Sequence, residues 1–182
     1  MIYILTGDGK GKTTSSIGMG IRAVGSGKRV LMVQFLKTKH TGEYKAIEKI
    51  KNFDIESFGR PGFYLPKEEL ERKPELKKKF RPLGQEDVER ARKALKFAEE
   101  EINSGKYSFL ILDEINVSLK FKLVDIKTVV DFIEGHRNNI DMVLTGRYCP
   151  REILKLADMV SEVKEVEHYF KKGIKAMQAR EF

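Results

Sequence analysis

The fold of this protein is decided near its amino terminus, where an apolar run is followed at once by a glycine-rich turn. Residues 2–6 read IYILT and residues 7–14 read GDGKGKTT. The first segment is short and rich in β-branched residues, as in a buried strand of a parallel sheet. Residues 12–24 have helical spacing and end at Gly25-Ser26-Gly27. A strand, a glycine-rich turn and a helix in this order predict a site for phosphate groups.

The turn nearly fits the pattern G-x-x-x-x-G-K-[ST], with Thr6 in place of the first glycine. Glycines let consecutive backbone N–H groups point inward around an anion, and the following helix adds the positive end of its dipole. We expect Lys12 to set its ammonium against phosphate oxygens and the Thr13 hydroxyl to ligate Mg²⁺. A glycine turn that carries lysines by chance is the alternative, and the position between strand and helix disfavours it. The predicted nucleotide contacts are Gly7, Asp8, Gly9, Lys10, Gly11, Lys12, Thr13 and Thr14.

The rest of the chain alternates short apolar runs with amphipathic stretches. Residues 86–103 show the helical pattern most clearly, since their apolar side chains recur at spacings of three and four. Such alternation predicts an α/β fold with a doubly wound, mostly parallel sheet and helices on both faces, the three-layer sandwich of P-loop proteins. The further predicted strands are residues 29–35, 109–113, 141–145 and 159–163. The further predicted helices are residues 86–103, 124–134 and 151–156.

Composition limits the class of protein. A chain of 182 residues is sized for one domain, so we expect residues 1–182 to form a single nucleotide-binding unit. One cysteine allows no internal disulfide and indicates a reducing, cytoplasmic setting. No run approaches the roughly 18 apolar residues of a membrane span, and residues 1–10 carry too short an apolar run for a signal peptide. The formal charge of +8 suits an anionic partner, although a heavily charged, solvated surface explains most of it.

One segment, residues 60–82, interrupts the alternation. Four of the five prolines fall between residues 59 and 82, and eleven of the sixteen residues from 67 to 82 are charged. Such a segment cannot supply the core of a sheet, so we expect an excursion over the surface. It is either a disordered loop, which the composition favours, or a lid that folds over a ligand.

Two further polar clusters follow predicted strands. Asp113 and Glu114 come directly after the apolar run FLIL, and a phosphate-binding loop of this kind needs such a carboxylate to hold Mg²⁺ or its water. Asp113 is the better metal candidate, whereas Glu114 would position a water, contact the nucleotide or cap the next element. Arg147, in Thr145-Gly146-Arg147, would face the same crevice and neutralise phosphate charge. A surface arginine after a turn is the alternative.

A set of motifs runs through nearly the whole chain in a fixed order. They are residues 6–14 (TGDGKGKTT), Gly18, Arg22-Ala23, Gly25 with Gly27, 33–37 (VQFLK), 42–43 (GE), 112–115 (LDEI), 144–147 (LTGR), 157–162 (ADMVSE) and 173–176 (GIKA). Together they resemble the P-loop type of ATP:corrinoid adenosyltransferases. The phosphate loop alone is shared by many enzymes, whereas the loop combined with VQFLK and GIKA is much more specific.

The resemblance implies a reaction in which a reduced Co(I) corrinoid attacks the 5′ carbon of ATP and triphosphate leaves. ATP is then the cosubstrate, and charge develops on the α-phosphate as the bond breaks. Lys12, the loop amides and Mg²⁺ would stabilise this charge, with Lys10 and Arg22 as further cations. The resemblance also implies a homodimer and a protein that supplies electrons to the corrinoid. The implied catalytic set is Lys12, Thr13, Asp113, Glu114 and Arg147, with Thr13 and Asp113 at the metal.

The corrinoid half of the pattern departs from the family. The family's aromatic Gly-Phe-x-Trp segment corresponds here to Gly62-Phe63-Tyr64-Leu65, and the chain has no tryptophan. Phe63 and Tyr64 are therefore the candidate corrinoid contacts. His168 lies in a block similar to the family's His-x-Phe, and residues 179–182, AREF, replace its closing Gly-Ile-Glu-aromatic. Either the corrinoid is held differently or the substrate has changed.

Two other functions stay open from the sequence. A P-loop NTPase or phosphotransferase on another small substrate would use the same Lys12, Thr13 and Asp113. A nucleotide-sensing or nucleic-acid-binding module would use the positive charge and the lysines of residues 67–81, but no interleaved aromatic pattern accompanies them, which disfavours nucleic acid. Cys149 has no evident base partner and is interpreted as structural.

Overall fold

A six-stranded parallel sheet forms the centre of the protein. The computed structural model describes residues 1–167, and residues 168–182 lie outside this description. The sheet strands are β1 (Ile2–Thr6), β2 (Val30–Gln34), β3 (Phe53–Ser57), β6 (Phe109–Asp113), β7 (Asp141–Thr145) and β8 (Met159–Glu162), while β4 (Tyr64–Leu65) and β5 (Arg81–Pro82) form a separate pair. The strand order in the sheet is β3-β2-β6-β7-β1-β8, and all neighbours are parallel.

Helices cover both faces of the sheet. They are α1 (Lys12–Gly25), α2 (Gly42–Ile47), α3 (Lys67–Arg72), the 3₁₀ helix Pro74–Lys78, α4 (Gln85–Asn103), α5 (Ile115–Lys120), α6 (Ile126–His136) and α7 (Arg151–Leu154). Side chains of α4, α5, α6 and α7 join one hydrophobic cluster, and those of α1 and α2 join the cluster on the opposite face. The predicted doubly wound, three-layer α/β fold is therefore confirmed.

The strand sequences explain why both faces must be covered. All five residues of β2 are buried, with Leu31 and Val33 in one cluster and Val30 and Met32 in the other. Because successive side chains of a strand point to opposite faces, an uninterrupted apolar run is buried only where both faces are packed. The parallel strands all end at one edge of the sheet, and the polar residues that follow them meet there.

Most of the predicted elements are confirmed, with ends that differ by at most two residues. The sequence did not predict α2, β3 or α5. β3 lies at the edge of the sheet and buries only alternate residues, so its sequence FDIES lacks the apolar run that marks the central strands. α5 begins directly after Glu114, whose φ of 64° turns the backbone abruptly from strand to helix. A glycine is the usual sequence mark of such a turn, and none is present at this position.

Residues 60–82 carry regular structure, so the disordered loop that their composition favours is wrong. The segment contains α3, the 3₁₀ helix and the β4–β5 pair, and Leu70 of α3 is buried. Arg60 donates through Nε and a terminal nitrogen to the carboxylate of Asp87 in α4, at 2.7 and 2.5 Å. Asp87 also accepts from the backbone N of Gly84 at 2.8 Å. The burial of Leu70 and the ion pair between Arg60 and Asp87 thus help to order a segment in which most charged side chains are exposed.

Within residues 1–167, no helix is both long and apolar enough to cross a membrane. His168 and the motifs at residues 173–176 and 179–182 lie outside the described part of the chain.

Candidate functional site

A cavity of about 600 Å³ opens beside the glycine-rich turn, at the edge where the parallel strands end. Its lining combines residues from the turn and α1 with residues that follow β2, β6 and β7. The lining residues are Gly9, Lys10, Gly11, Lys12, Thr13, Thr14, Ile17, Lys37, Gly42, Glu43, Ala46, Glu114 and Arg147. The structure therefore brings the loop, Glu114 and Arg147 together, as their positions after the strands predict.

The backbone of the glycine-rich turn is held against the end of β8. Gly7 has a φ of 99°, and a Cβ on it would lie 2.5 Å from the carbonyl oxygen of Val163. The backbone N of Gly9 donates to the same oxygen at 2.7 Å. At the start of the turn the positive φ lies at Gly7 and not at Thr6, which completes strand β1. This explains why the chain tolerates threonine where the usual pattern has glycine.

The amino end of α1 faces the cavity without a side-chain cap. α1 starts at Lys12, its N-cap residue Gly11 has a φ of 115°, and its first turn contains no acidic residue. The amides of this turn are therefore available to an anion. The Lys12 ammonium donates to the carbonyl oxygen of Gly9 at 2.6 Å, and burial lowers the pKa of Lys12 while Glu114 acts in the opposite direction.

Asp113, at the end of β6, is fully buried and accepts hydrogen bonds from several elements at once. The hydroxyls of Thr13 and Thr145 donate to Oδ1 at 2.9 and 2.7 Å. The side-chain amide of Gln34 donates to Oδ2 at 3.1 Å. Burial acts to raise the pKa of Asp113, but Lys37 and these hydrogen bonds outweigh it and hold the pKa below its usual value. The carboxylate is consequently a fixed negative charge below the cavity.

Lys37 is a site residue to which the sequence analysis assigned no role. Its Nζ lies 2.8 Å from Thr13 Oγ1 and 3.0 Å from Asp113 Oδ2, and 3.5 Å from Glu43 Oε1. Burial acts to lower the pKa of Lys37, but the neighbouring carboxylates, Asp113 first, outweigh it and raise the pKa. The sequence feature that could have predicted this position is the motif VQFLK. In it, a polar Gln34 ends a buried strand and Lys37 follows three residues later.

Glu114 and Arg147 extend the site on the side of β7. Burial, and next the charge of Asp113, raises the pKa of Glu114. Arg147 is exposed and donates to the backbone carbonyl of Asp8 at 3.1 Å. The preceding turn is fixed by Asn116, whose amide donates to the carbonyl of Gly146 at 3.2 Å. Arg147 therefore reaches the phosphate loop from a neighbouring strand, and its catalytic role stays a prediction.

Five predicted nucleotide or corrinoid contacts do not line the cavity. Arg22 is exposed in the last turn of α1, ten residues from Lys12 and so about 15 Å away along the helix. Phe63 and Tyr64 lie in residues 60–82, where Phe63 is 56% exposed and packs edge-on against Phe80. Asp8 and Gly7 belong to the loop but do not form the cavity wall. The residues predicted to surround the phosphates thus lie together around the cavity, except for Arg22. The predicted corrinoid contacts Phe63 and Tyr64 lie outside it.

The donor set next to the cavity suits a hard cation. Thr13 and Asp113 offer a hydroxyl and a carboxylate, and Glu43 lies close by across Lys37. Mg²⁺ prefers such oxygen ligands, keeps several waters, and is commonly held by one or two side chains together with phosphates. Among residues 1–167, no group of three or more His, Cys, Asp or Glu side chains could hold a metal alone. The residues therefore fit a metal that enters with a nucleotide.

A parallel sheet, a glycine-rich loop before α1 and a buried carboxylate beside it define the class: this is a P-loop nucleotide-binding protein.

Residues 1–182 match the family ATP:corrinoid adenosyltransferase BtuR/CobO/CobP. The chain is 35% identical over 184 residues to the corrinoid adenosyltransferase of Sinorhizobium sp, covering all of this chain and 80% of that protein. It is 32% identical over 178 residues to the corrinoid adenosyltransferase of Escherichia coli strain K12, covering 97% and 82%. Corrinoid adenosyltransferase CobA of Salmonella typhimurium strain LT2 is 29% identical over 184 residues, covering 100% and 85%. The chain therefore belongs to the ATP:corrinoid adenosyltransferase family.

Proposed function

We propose that this protein transfers the 5′-deoxyadenosyl group of ATP to the Co(I) of a reduced corrinoid and releases triphosphate. The observation that carries the proposal is the cavity between the glycine-rich loop, Glu114 and Arg147 in a chain that matches the family along its whole length. The bond that breaks joins C5′ to the α-phosphate oxygen, so the whole triphosphate is the leaving group. The site must therefore stabilise charge along the triphosphate.

The cationic side chains of the cavity suit this task. Lys12 lines the cavity at the start of α1 and Arg147 reaches it from β7. Lys10 lines the cavity as well and adds a further positive charge. Donors fixed in advance around a developing charge lower the barrier, because they need no reorganisation when the charge appears. Lys12 and the first amides of α1 are the groups that we assign to the α-phosphate side of the leaving group.

We assign Thr13 and Asp113 to Mg²⁺, with Thr13 as the direct ligand and Asp113 behind it. When bound, the metal neutralises part of the triphosphate charge. Asp113 keeps the Thr13 hydroxyl oriented through their 2.9 Å hydrogen bond. Attack by Co(I) removes no proton, so Glu114 is not needed as a general base, and its carboxyl instead balances the neighbouring cations Lys12 and Arg147.

The corrinoid half of the proposal rests on Phe63 and Tyr64. The guanidinium of Arg60 stacks on the ring of Tyr64 with 3.9 Å between its central carbon and the ring centroid. Phe63 exposes more than half of its surface. These aromatic faces are the proposed contacts for the corrin ring, and residues 60–82 are the proposed lid. Exclusion of water would protect the strongly nucleophilic Co(I).

The cellular setting follows from the chemistry of the proposed substrate. Co(I) requires a reductant, so an electron-donating protein and the reducing cytoplasm belong to the proposal. The single cysteine agrees with this setting. A homodimer, which the resemblance implies, stays a prediction.

Product analysis with ATP and a chemically reduced corrinoid tests the proposal. The expected products are an adenosylated corrinoid and triphosphate. A β–γ non-hydrolysable ATP analogue should support the reaction, because the β–γ bond stays intact. Formation of ADP and phosphate without an adenosylated corrinoid would instead identify an NTPase or phosphotransferase, which could use the same Lys12, Thr13 and Asp113.

A further inference from the structure

The ammonium of Lys37 lies between the two side chains that the proposed function assigns to the metal. It is 2.8 Å from Thr13 Oγ1 and 3.0 Å from Asp113 Oδ2. An ammonium in this place meets the Thr13 hydroxyl that a divalent cation would ligate and the carboxylate of Asp113 behind it. Two cations cannot share this position, because like charges at such short distance repel strongly in a partly buried site.

We propose that Lys37 holds the metal position before ATP binds and moves its ammonium onto the triphosphate when ATP enters, which opens the position to Mg²⁺. The inference rests on the proposed function for the identity of the ligand, ATP. It makes Lys37 a ligand-binding residue with two positions, one at the Asp113 carboxylate and one in the cavity. Mg²⁺ would then bind poorly to the free protein and well to its complex with ATP.

The hydrogen bonds of Asp113 explain why one of its donors must leave the carboxylate when the metal binds. A carboxylate offers about four lone-pair sites, and Asp113 accepts from Thr13, Thr145, Gln34 and Lys37. Thr145 and Gln34 are fully buried at the ends of strands, so their positions are fixed. The side chain of Lys37 is 24% exposed and lines the cavity. Lys37 is therefore the donor that can withdraw without a change in the sheet.

The backbone of Lys37 is anchored by Gly59, whereas its side chain is held through polar contacts of the ammonium. The backbone N of Gly59 donates to the Lys37 carbonyl at 2.8 Å. The two backbone segments approach so closely that a Cβ on Gly59 would lie 2.5 Å from the backbone N of Lys37. The polar contacts of the side chain lie at its tip, on Thr13, Asp113 and Glu43. A rotation of the side chain is thus enough for the proposed movement.

The movement would place a further cation on the leaving group. Lys37 lines the same cavity as Lys12 and Arg147, so its ammonium can contact the triphosphate from the side of β2. It would also release the Asp113 carboxylate and the Thr13 hydroxyl for the metal. Binding of ATP and binding of the metal are then coupled through one side chain, which gives each ligand a higher affinity in the presence of the other.

The first test measures Mn²⁺ binding to the free protein, by the loss of the free-ion electron paramagnetic resonance signal and without nucleotide. We expect Lys37→Met to bind Mn²⁺ at least about tenfold more tightly than the wild type, since the competing charge is gone. Lys39→Met is the matched control, because Lys39 is exposed and pairs with Glu56 at 2.6 Å. It should stay within about twofold of the wild type. Equal Mn²⁺ affinity in the wild type and Lys37→Met would overturn the proposal.

The second test measures ATP binding by calorimetry in the presence of a chelator. Loss of one charge-assisted contact to phosphate should weaken ATP binding to Lys37→Met by about 10- to 100-fold, and Lys39→Met should bind as the wild type does. Unchanged ATP affinity in Lys37→Met contradicts the movement onto the triphosphate. Circular dichroism checks the fold, and Lys37→Gln, which keeps a donor for Asp113, serves both measurements if Lys37→Met does not fold.

Neither measurement contains a corrinoid, so the outcomes distinguish a failure of the proposed function from a failure of the inference about Lys37. If the wild type makes no adenosylated corrinoid but the Lys37 variants change Mn²⁺ and ATP binding as stated, only the proposed function is wrong. If the wild type makes the product but the variants leave both affinities unchanged, only the inference about Lys37 is wrong.

Discussion

Gln34 and Asp113 face each other in register across strands β2 and β6, and the Gln34 amide donates to Asp113 Oδ2 at 3.1 Å. The carbonyl oxygen of the Gln34 side chain accepts from the hydroxyl of Ser57, its register partner on β3, at 2.8 Å. A polar chain thus crosses three strands at the edge of the sheet and ends on the carboxylate below the cavity. This chain fixes the orientation of the Asp113 carboxylate.

Replacement of Gln34 by leucine should destabilise the protein by about 1–3 kcal/mol, because the buried Ser57 hydroxyl loses its acceptor and Asp113 loses a donor. Urea unfolding measures the change in free energy. Ser57→Ala is the control, since it removes only one hydrogen bond and should cost less, about 0.5–1.5 kcal/mol. Equal stability of Gln34→Leu and the wild type would show that the chain contributes nothing.

Replacement of Lys12 by methionine should slow adenosyl transfer by about 10²–10³-fold, because a fixed cation next to the leaving group is lost. Initial rates with saturating ATP and reduced corrinoid provide the measurement. Lys127→Met is the matched control, since Lys127 is exposed and pairs with Asp131 on its own helix. A rate for Lys12→Met close to that of Lys127→Met would remove Lys12 from the catalytic set.

Substitution of alanine at Gly7 should destabilise the protein by more than about 1 kcal/mol, because φ is 99° and the new Cβ would meet the Val163 carbonyl at 2.5 Å. Gly25→Ala is the matched control, since Gly25 ends α1 in open space with no positive φ. Thermal unfolding of both variants compares them. Equal midpoints for the two variants would contradict the close packing of the loop on the end of β8.

Loss of the Arg60 side chain should loosen residues 60–82, because Asp87 then loses the bidentate partner that ties the segment to α4. We expect hydrogen exchange in residues 60–82 to become several-fold faster in Arg60→Ala, while the strands of the sheet keep their protection. Arg92→Ala, an exposed position on α4, is the comparison variant. If exchange in residues 60–82 matches between the two variants, the ion pair does not order the segment.

The thiol of Cys149 should be unreactive in the native protein, since burial raises its pKa to about 12. At pH 8 the thiolate fraction is then about a thousandfold smaller than in an unfolded chain, whose thiol has a pKa near 8.5. The raised pKa contributes stability that is complete below about pH 8.5 and is lost as the pH rises toward about 12. Alkylation rates with and without denaturant test this on the single cysteine, and similar rates would contradict it.

The sequence by itself determined the layers of the fold and the phosphate loop. Both depend on patterns that are local in the chain: apolar runs such as FLIL mark strands that are covered on both faces, and glycines before Lys12 mark a turn that surrounds an anion. Asp113 and Arg147 were predicted because parallel strands end at one edge, which follows from the strand pattern alone.

The tertiary structure alone decided which other charges join the site. Lys37 reaches Asp113 only because β2 lies next to β6, and Arg22 lies outside because ten residues of helix carry it away from the loop. Strand order and side-chain reach depend on contacts between distant segments, which no local pattern contains. The same holds for residues 60–82, whose order comes from Arg60 meeting Asp87 and from the burial of Leu70 rather than from their charged composition.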